Sequence, residues 1–334
     1  PKEKKMTKPE ITPIVSNRDT ASAFLTEIQN STVQPIGPVF LDFQKDLTQL
    51  KAKSDIPVLY KQNVTNDLFQ LIYVFDMGNN QDKALGTAFN YLEYLGTSDM
   101  TPEQLKSEFY RLACTFYVSP GNERTYVVLS GLNENMPAAM QLFEKLLADA
   151  QVNKEAYSNM AEDILKARSD AKLNQGQNFS RLMNFAMYGP KSPATNILTK
   201  TELTEMDPQA LVDRIHNQNS YKHRILYYGP SSSKEILEII DQNHNVPATL
   251  KEIPAGDEFP YLETPATKVL IAPYEAKQIY MSQISNTDKK FDPAIEPTRA
   301  LYNEYFGGSM NSIVFQEMRE TRGLAYSAWA ALNE

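Results

Sequence analysis

The chain has 334 residues, a length that suits two domains of ordinary size, and 42% of the residues are hydrophobic, which is enough for packed cores. Its charged fraction of 22% is ordinary for folded proteins and argues against extensive disorder. The formal net charge of −8 argues against a surface that follows phosphates, so neither nucleic acid nor an anionic membrane is an expected partner.

The first segment, residues 1–37, is rich in Lys, Pro, Ser and Thr and is predicted to be a linker or an N-terminal extension. Within it, the amphipathic stretch TASAFLTEIQ predicts a short helix. No apolar run follows the N-terminal lysines, so a signal peptide is not expected. A chain that begins at Pro1 is expected to be processed or to be part of a longer protein. The sequence contains no run of about eighteen apolar residues, so no membrane-spanning helix is predicted.

The next part of the chain alternates predicted strands and helices. IPVLYKQN and LFQLIYVFDMG are rich in β-forming residues and predict two strands. A helix is predicted in ALGTAFNYLEYLGT, residues 84–97, and a second helix is expected to begin at Thr101, a good N-cap residue. FYVSPGNERTYVVLSGL has a Pro-Gly-Asn turn between two β-rich runs and predicts a hairpin.

Several helices are predicted next, because apolar residues recur at three- and four-residue steps in MPAAMQLFEKLLADA, EAYSNMAEDILKARSDAKLN, FSRLMNFAMYG and LTEMDPQALVDRIHNQ. The strand HRILYYGP and the helix SKEILEIIDQN follow. TKVLIAP and QIYMSQIS again predict strands.

One order of elements, a strand followed by a helix ending near Gly and then another helix and strand, occurs twice, with Gly96 and Gly307 as counterparts. The repeat predicts two homologous α+β domains. We place the first domain at residues 38–230 and the second at residues 231–334, where the second copy stops early and is therefore expected to be incomplete.

Histidine and cysteine give no clear catalytic pattern. His216, His223 and His244 have no second ligand at metal-binding spacing, so structural or surface roles are expected. Cys114 is the single cysteine; its apolar setting predicts a core residue, and an intrachain disulfide is impossible.

The helix predicted in residues 84–97 contains one acid, Glu93, in an apolar run. In a helix, Asn90, Glu93 and Tyr94 share one face. The spacing is that of H-x-x-E-H, in which two imidazoles bind zinc and the acid polarises water, but Asn90 and Tyr94 stand where the histidines would be.

This degenerate motif resembles the inverted zinc motif of the insulinase-type metallopeptidases, family M16. The more specific likeness is YFGGSMNSIVFQEMRETRGLAYSAWA, which is similar to the signature of the C-terminal domain of an M16 half. The LGT after the motif and the stretches LSGL, AMYGPKSP and ILYYGP are further similarities. Together they cover nearly all of residues 38–334.

The resemblance implies an α+β fold with two homologous M16-type domains, each an antiparallel sheet packed with helices, the second truncated. In this family two halves face each other across a closed chamber, and one half carries zinc. The zinc-free half supplies an Arg and a Tyr, seven residues apart, to bind substrate in the other half. Arg319 and Tyr326 have that spacing.

The departures from the family pattern imply that this chain is the metal-free half of such an enzyme. Both histidine positions are lost, and Glu162 lies slightly early for the third ligand. No zinc or other cofactor is therefore expected in this chain, and zinc is expected in the partner half. Glu93 is then expected to be a buried acid hydrogen-bonded by Asn90 and Tyr94.

The resulting hypothesis is the metal-free half of an M16 zinc metalloendopeptidase, inactive alone. It would close the chamber and offer Arg319 and Tyr326 to a zinc-bearing half, in the same polypeptide or on a partner chain, for proteolysis of peptides. The alternative is a non-catalytic M16-like scaffold or peptide-binding subunit. A third hypothesis is an autonomous peptidase with a different metal site. The compartment is unknown, and only the resemblance favours the bacterial periplasm.

Overall fold

The computed structural model describes residues 21–34, 37–38, 40–286 and 292–333. The first of two compact units ends at Asp46, and its described helices are α1 (Ala23–Asn30) and α2 (Phe43–Asp46). The hydroxyl of Ser22 caps α1 by accepting a hydrogen bond from the Leu25 N–H. The short helix predicted in this segment is therefore confirmed. The remaining residues assigned to the predicted linker, 1–20, 35 and 36, lie outside the described residues.

The second unit begins at Leu47 and is built on a six-stranded sheet. Its strands are β1 (Thr48–Lys51), β2 (Pro57–Gln62), β3 (Leu68–Phe75), β4 (Cys114–Pro120), β5 (Thr125–Leu132) and β6 (Arg224–Gly229). They lie in the order β1-β2-β6-β3-β5-β4. The two strands before residue 76, the hairpin and the strand HRILYYGP are confirmed.

The prediction of a purely antiparallel sheet is wrong at one place. β2 and β6 run parallel, with Val58 opposite Ile225, whereas β3 pairs antiparallel with both β5 and β6. A parallel pair requires a long crossover, and the helices between β5 and β6 provide it. The coarser prediction, an α+β fold with a sheet and helices, is correct.

The helices of the second unit are α3 (Leu85–Leu92), α4 (Pro102–Arg111), α5 (Met136–Asp149), α6 (Lys154–Asp170), α7 (Gln175–Tyr188), α8 (Lys200–Glu205), α9 (Gln209–Asn217), α10 (Ser233–Asn243), α11 (Glu296–Asn303) and α12 (Ile313–Phe315). Thr101 caps α4 as expected, in a capping box completed by Gln104. LTEMDPQALVDRIHNQ, predicted as one helix, divides into α8 and α9 before Pro208, because proline cannot continue the hydrogen-bonded ladder.

The core lies between the sheet and helices α3, α5, α9 and α10. Its fully buried side chains include Phe143 of α5, Leu211 of α9 and Ile236 of α10. Helix α10 lies beyond residue 230, the boundary predicted between the domains, yet it packs on α5 and β1. The division into two homologous domains remains a prediction.

The two later strands are not formed in the described residues. TKVLIAP (267–273) and QIYMSQIS (278–285) have no regular secondary structure and are almost entirely exposed. A strand is stable only beside a hydrogen-bonded neighbour, and these runs do not join the sheet. The prediction of strand structure there is therefore wrong for the structure described.

Candidate functional site

Helix α3 positions the degenerate motif. It buries Leu85, Ala88, Phe89, Tyr91 and Leu92 against the core. A helix that buries this face directs the remaining residues outward.

Asn90, Glu93 and Tyr94 share the opposite side and are all exposed. No hydrogen bond joins Glu93 to Asn90 or to Tyr94 in the described structure. The expectation of a buried acid held by these neighbours is therefore wrong. α3 ends at Leu92, and Glu93 lies at its C-cap beyond the buried face.

The buried phenol of this helix is Tyr91, which the motif spacing did not single out. Its hydroxyl donates to the Asn153 carbonyl at 2.6 Å and accepts from the Asn153 N–H at 2.9 Å. Asn153 is also the N-cap of α6, so this pair of hydrogen bonds fixes the start of α6 against α3. The signal in the sequence was the apolar periodicity, which places position 91, and not 94, on the core side.

The donor groups in this region do not fit zinc. Asn90 offers an amide and Tyr94 a phenol where the zinc motif supplies two imidazoles, and neither group is an ordinary zinc ligand. Glu162, the candidate for a third ligand, is exposed on α6. Across the described ranges, no cluster of three or more His, Cys, Asp or Glu side chains could hold a metal ion.

The other predicted pair, Arg319 and Tyr326, is brought together. The guanidinium carbon of Arg319 lies 4.7 Å from the ring centroid of Tyr326 and 4.7 Å from that of Phe315. A cation at this distance from a ring face is attracted by the ring's quadrupole. The Arg319 side chain is 35% exposed and Tyr326 is 84% exposed, so both are accessible from solvent.

The local sequence explains this contact. Ser312 caps the helical segment, and α12 continues as the wider helical turn Gln316–Thr321. Gly323 follows with φ +58°, a left-handed conformation that glycine adopts without a Cβ penalty. The Gly323 N–H donates to the Arg319 carbonyl, and the chain then turns back so that Tyr326 reaches the Arg319 side chain.

Arg319 also has a weak ion pair, since its Nε lies 3.4 Å from Glu320 Oε1. This contact is longer than an ordinary charge-assisted hydrogen bond. The guanidinium is therefore held mainly by the two rings. Its N–H groups can serve as donors to an incoming oxygen atom.

A second polar cluster, buried in the core, was not expected from the sequence. Glu144 Oε1 lies 2.6 Å from His244 Nδ1 and accepts from the Tyr73 hydroxyl at 3.1 Å. His244 Nε2 lies 2.8 Å from His223 Nε2. All four side chains are buried. The sequence feature that could have indicated this cluster is Glu144 itself, a carboxylate within the apolar face of α5.

Burial controls the ionisation of this cluster. Desolvation, and then the nearby Glu144 charge, raise the pKa of Tyr73 well above its usual value. Desolvation, and then the charge of His244, lower the pKa of His223 to about 4. His223 is therefore neutral at neutral pH. His216 is exposed, and its Nε2 lies 3.1 Å from the Ala150 carbonyl oxygen.

No family model matches the chain. A relative in Rickettsia felis, described as an uncharacterized zinc protease, is 20% identical over 263 residues, which are 75% of this chain and 60% of that protein. The chain therefore spans less than two thirds of the length of this relative.

Solved structures with a similar fold include two peptidase-related proteins. The peptidase M16 inactive domain from Pseudomonas fluorescens has a TM-score of 0.62 and 15% identity, with 86% of this chain and 71% of that chain covered. The periplasmic protease PqqL from Escherichia coli has a TM-score of 0.58 and 14% identity, with 74% of this chain and 30% of that chain covered.

The described residues form an α+β fold, and the exposed face of α3 offers no fitting zinc site. The resemblance to family M16 is confirmed at the level of fold: the chain has the fold of the M16 inactive domain. Among the described residues, no helix combines the length and the apolar character needed to cross a bilayer.

Proposed function

We propose that this chain is the metal-free half of an M16 zinc metalloendopeptidase. It closes a chamber opposite a zinc-bearing half, on the same polypeptide or a partner chain, and peptides are cleaved within. The similarity to an inactive M16 domain and to a zinc protease supports this proposal. The donor set at Asn90, Glu93 and Tyr94, which does not suit zinc, supports the assignment to the metal-free half.

The observation that carries the proposal is the contact between Arg319 and Tyr326. A peptide carbonyl gains negative charge on its oxygen as water attacks it. A guanidinium and a phenol held side by side are suitable donors to that oxygen. Because both groups are accessible, they can act on a substrate bound by a facing half. Zinc in that half would supply the activated water.

The experiment combines the purified chain with its zinc-bearing half and measures peptide cleavage. Arg319→Ala and Tyr326→Phe are each expected to lower kcat/KM, by about 100-fold if the lost donor faces the oxyanion. Arg322→Ala is the matched control, because Arg322 lies three residues away, is more exposed, and pairs with Glu317. Equal rates for Arg319→Ala and Arg322→Ala would contradict the proposed role.

The alternative function, a scaffold or peptide-binding subunit, has a distinct outcome in the same experiment. The mixture would then bind peptides or assemble without any change in cleavage rate. Since PqqL is described as periplasmic, we also propose the bacterial periplasm as the compartment. Fractionation of cells that express the natural protein tests that proposal.

A further inference from the structure

Three hydrogen bonds in a row connect a backbone carbonyl to a buried carboxylate. His223 Nδ1 lies 2.7 Å from the Tyr221 carbonyl oxygen, and His223 Nε2 lies 2.8 Å from His244 Nε2. His244 Nδ1 lies 2.6 Å from Glu144 Oε1. We call these four groups the histidine relay. Each of its three contacts needs one proton between the two heavy atoms.

The relay needs one proton more than neutral histidines can supply. A neutral imidazole carries one N–H, so His223 and His244 together provide two protons for three contacts. The Tyr221 carbonyl can only accept, so His223 must keep a proton on Nδ1. Either an imidazole or the carboxyl group must therefore hold an additional proton. Without it, two acceptors would face each other at hydrogen-bond distance.

The surroundings of Glu144 decide where that proton lies. Besides His244, the carboxylate accepts hydrogen bonds from the Tyr73 hydroxyl, the Asn219 amide and the Asn245 backbone N–H. Donors on both oxygens favour the ionised form of a carboxylate. His223 is farther from this charge. We infer that Glu144 and His244 form a buried proton-binding site, in which an imidazolium His244 donates to an ionised Glu144.

The site joins distant parts of the chain. Glu144 is on α5, whereas His244 and Asn245 are the first residues after α10 and begin the segment that leads toward Arg319. The other titratable groups that contact the pair in the described structure are Tyr73 of β3 and His223, next to β6. Both are neutral at neutral pH, so the extra proton strengthens a connection between the end of α10 and α5 that the Asn245 N–H and the Gln141 amide also make.

The consequence is a dependence of stability on alkaline pH. Above about pH 6.5 an unfolded histidine is neutral, whereas the folded relay needs its third proton to keep all three contacts. The folded state then binds one proton more than the unfolded state, so the unfolding constant rises close to tenfold per pH unit. This stabilisation is complete where the unfolded histidine is also protonated, and it decreases as the pH rises above that range.

Glu144→Gln is the decisive variant. The glutamine amide can donate one N–H to His244 Nδ1 and one to the Tyr73 oxygen, while its carbonyl accepts from Asn219 and Asn245. The relay is then complete with two neutral histidines and needs no extra proton. Urea unfolding between pH 7 and 8.5 should show the rise in the unfolding constant in the natural chain and its loss in Glu144→Gln. His216→Asn is the control and should keep the rise.

Nitrogen NMR of the histidine rings in the natural chain provides a test that does not depend on a variant. We expect both ring nitrogens of His244 to be protonated at pH 7.5, and His223 to be protonated at Nδ1 alone. A singly protonated His244 would overturn the inference. Equal pH dependence of unfolding in the natural chain and in a folded Glu144→Gln would also overturn it. If Glu144→Gln does not fold, the NMR result decides.

Discussion

Arg319 and Tyr326 are in direct contact, with the guanidinium carbon 4.7 Å from the tyrosine ring centroid. Phe315 lies one helical turn before Arg319 and contacts the guanidinium at the same distance. The arginine is therefore held between two rings from residues on either side of it in the chain. This arrangement suits a donor group that has to keep one orientation while remaining open to solvent.

Phe315→Leu is expected to loosen this arrangement. A cation–π contact at a partly exposed site contributes about 0.5–1 kcal/mol, so kcat/KM in the reconstituted peptidase should fall about two- to fivefold. Phe306→Leu is the matched control, because Phe306 stacks on Tyr302 and not on an arginine. A rate that falls equally in both variants would indicate a general loss of local packing.

Restoring two histidines on α3 tests the assignment of the metal-free half. Asn90 and Tyr94 are exposed, so Asn90→His with Tyr94→His should leave stability within about 0.5 kcal/mol of the natural value. The two imidazoles, one turn apart beside Glu93, should then bind zinc or cobalt. Isothermal titration measures the gain, with Asn90→His alone as the control. Equal metal affinity in the single and double variants would show that these positions cannot converge on a metal.

Much of the fold could be predicted because the segments have clear local patterns. The hairpin of β4 and β5, the Thr101 cap and the strand β6 were all visible in turn residues, capping residues and runs of β-forming residues. The parallel pairing of β2 with β6 was not visible, because it depends on the path of the chain through the intervening helices. In TKVLIAP and QIYMSQIS, strands were predicted but are not formed, because strand propensity alone cannot form a sheet.

The candidate sites were predicted unevenly for a similar reason. The seven-residue spacing of Arg319 and Tyr326 pointed to a shared site only because it resembles the spacing in family M16. Their direct contact depends on the turn at Gly323. The spacing also predicted that Asn90, Glu93 and Tyr94 share one helix face, but it did not indicate which face of the helix is buried. The histidine relay joins residues that are up to about a hundred positions apart along the chain, as Glu144 and His244 are. No local pattern could have brought these residues together.

Tyr91 is expected to matter for stability where Tyr94 does not. Tyr91→Phe removes a hydroxyl that both donates to and accepts from Asn153, leaving the Asn153 N–H without its partner and the Asn153 carbonyl with the Tyr157 N–H alone. The free energy of unfolding should fall by about 1–3 kcal/mol. Tyr94→Phe, on the same helix but exposed, should change it by less than about 0.5 kcal/mol. Urea denaturation of the two variants measures the difference, and equal values would contradict the burial assigned to Tyr91.

His223 should produce a loss of stability on the acid side of neutrality. Burial lowers the pKa of His223 to about 4, whereas an unfolded histidine titrates near pH 6.5. Between these values the unfolded chain binds the additional proton, so stability falls as pH decreases from about 6.5 to 4, by about 3 kcal/mol in total. His223→Phe should be less stable at pH 7, because the Tyr221 carbonyl and His244 lose a partner, but it should lose less stability on acidification. Denaturation of both chains at pH 7, 6 and 5 measures the two slopes, with His216→Phe as the control, and parallel slopes for His223→Phe and the natural chain would show that His223 titrates normally.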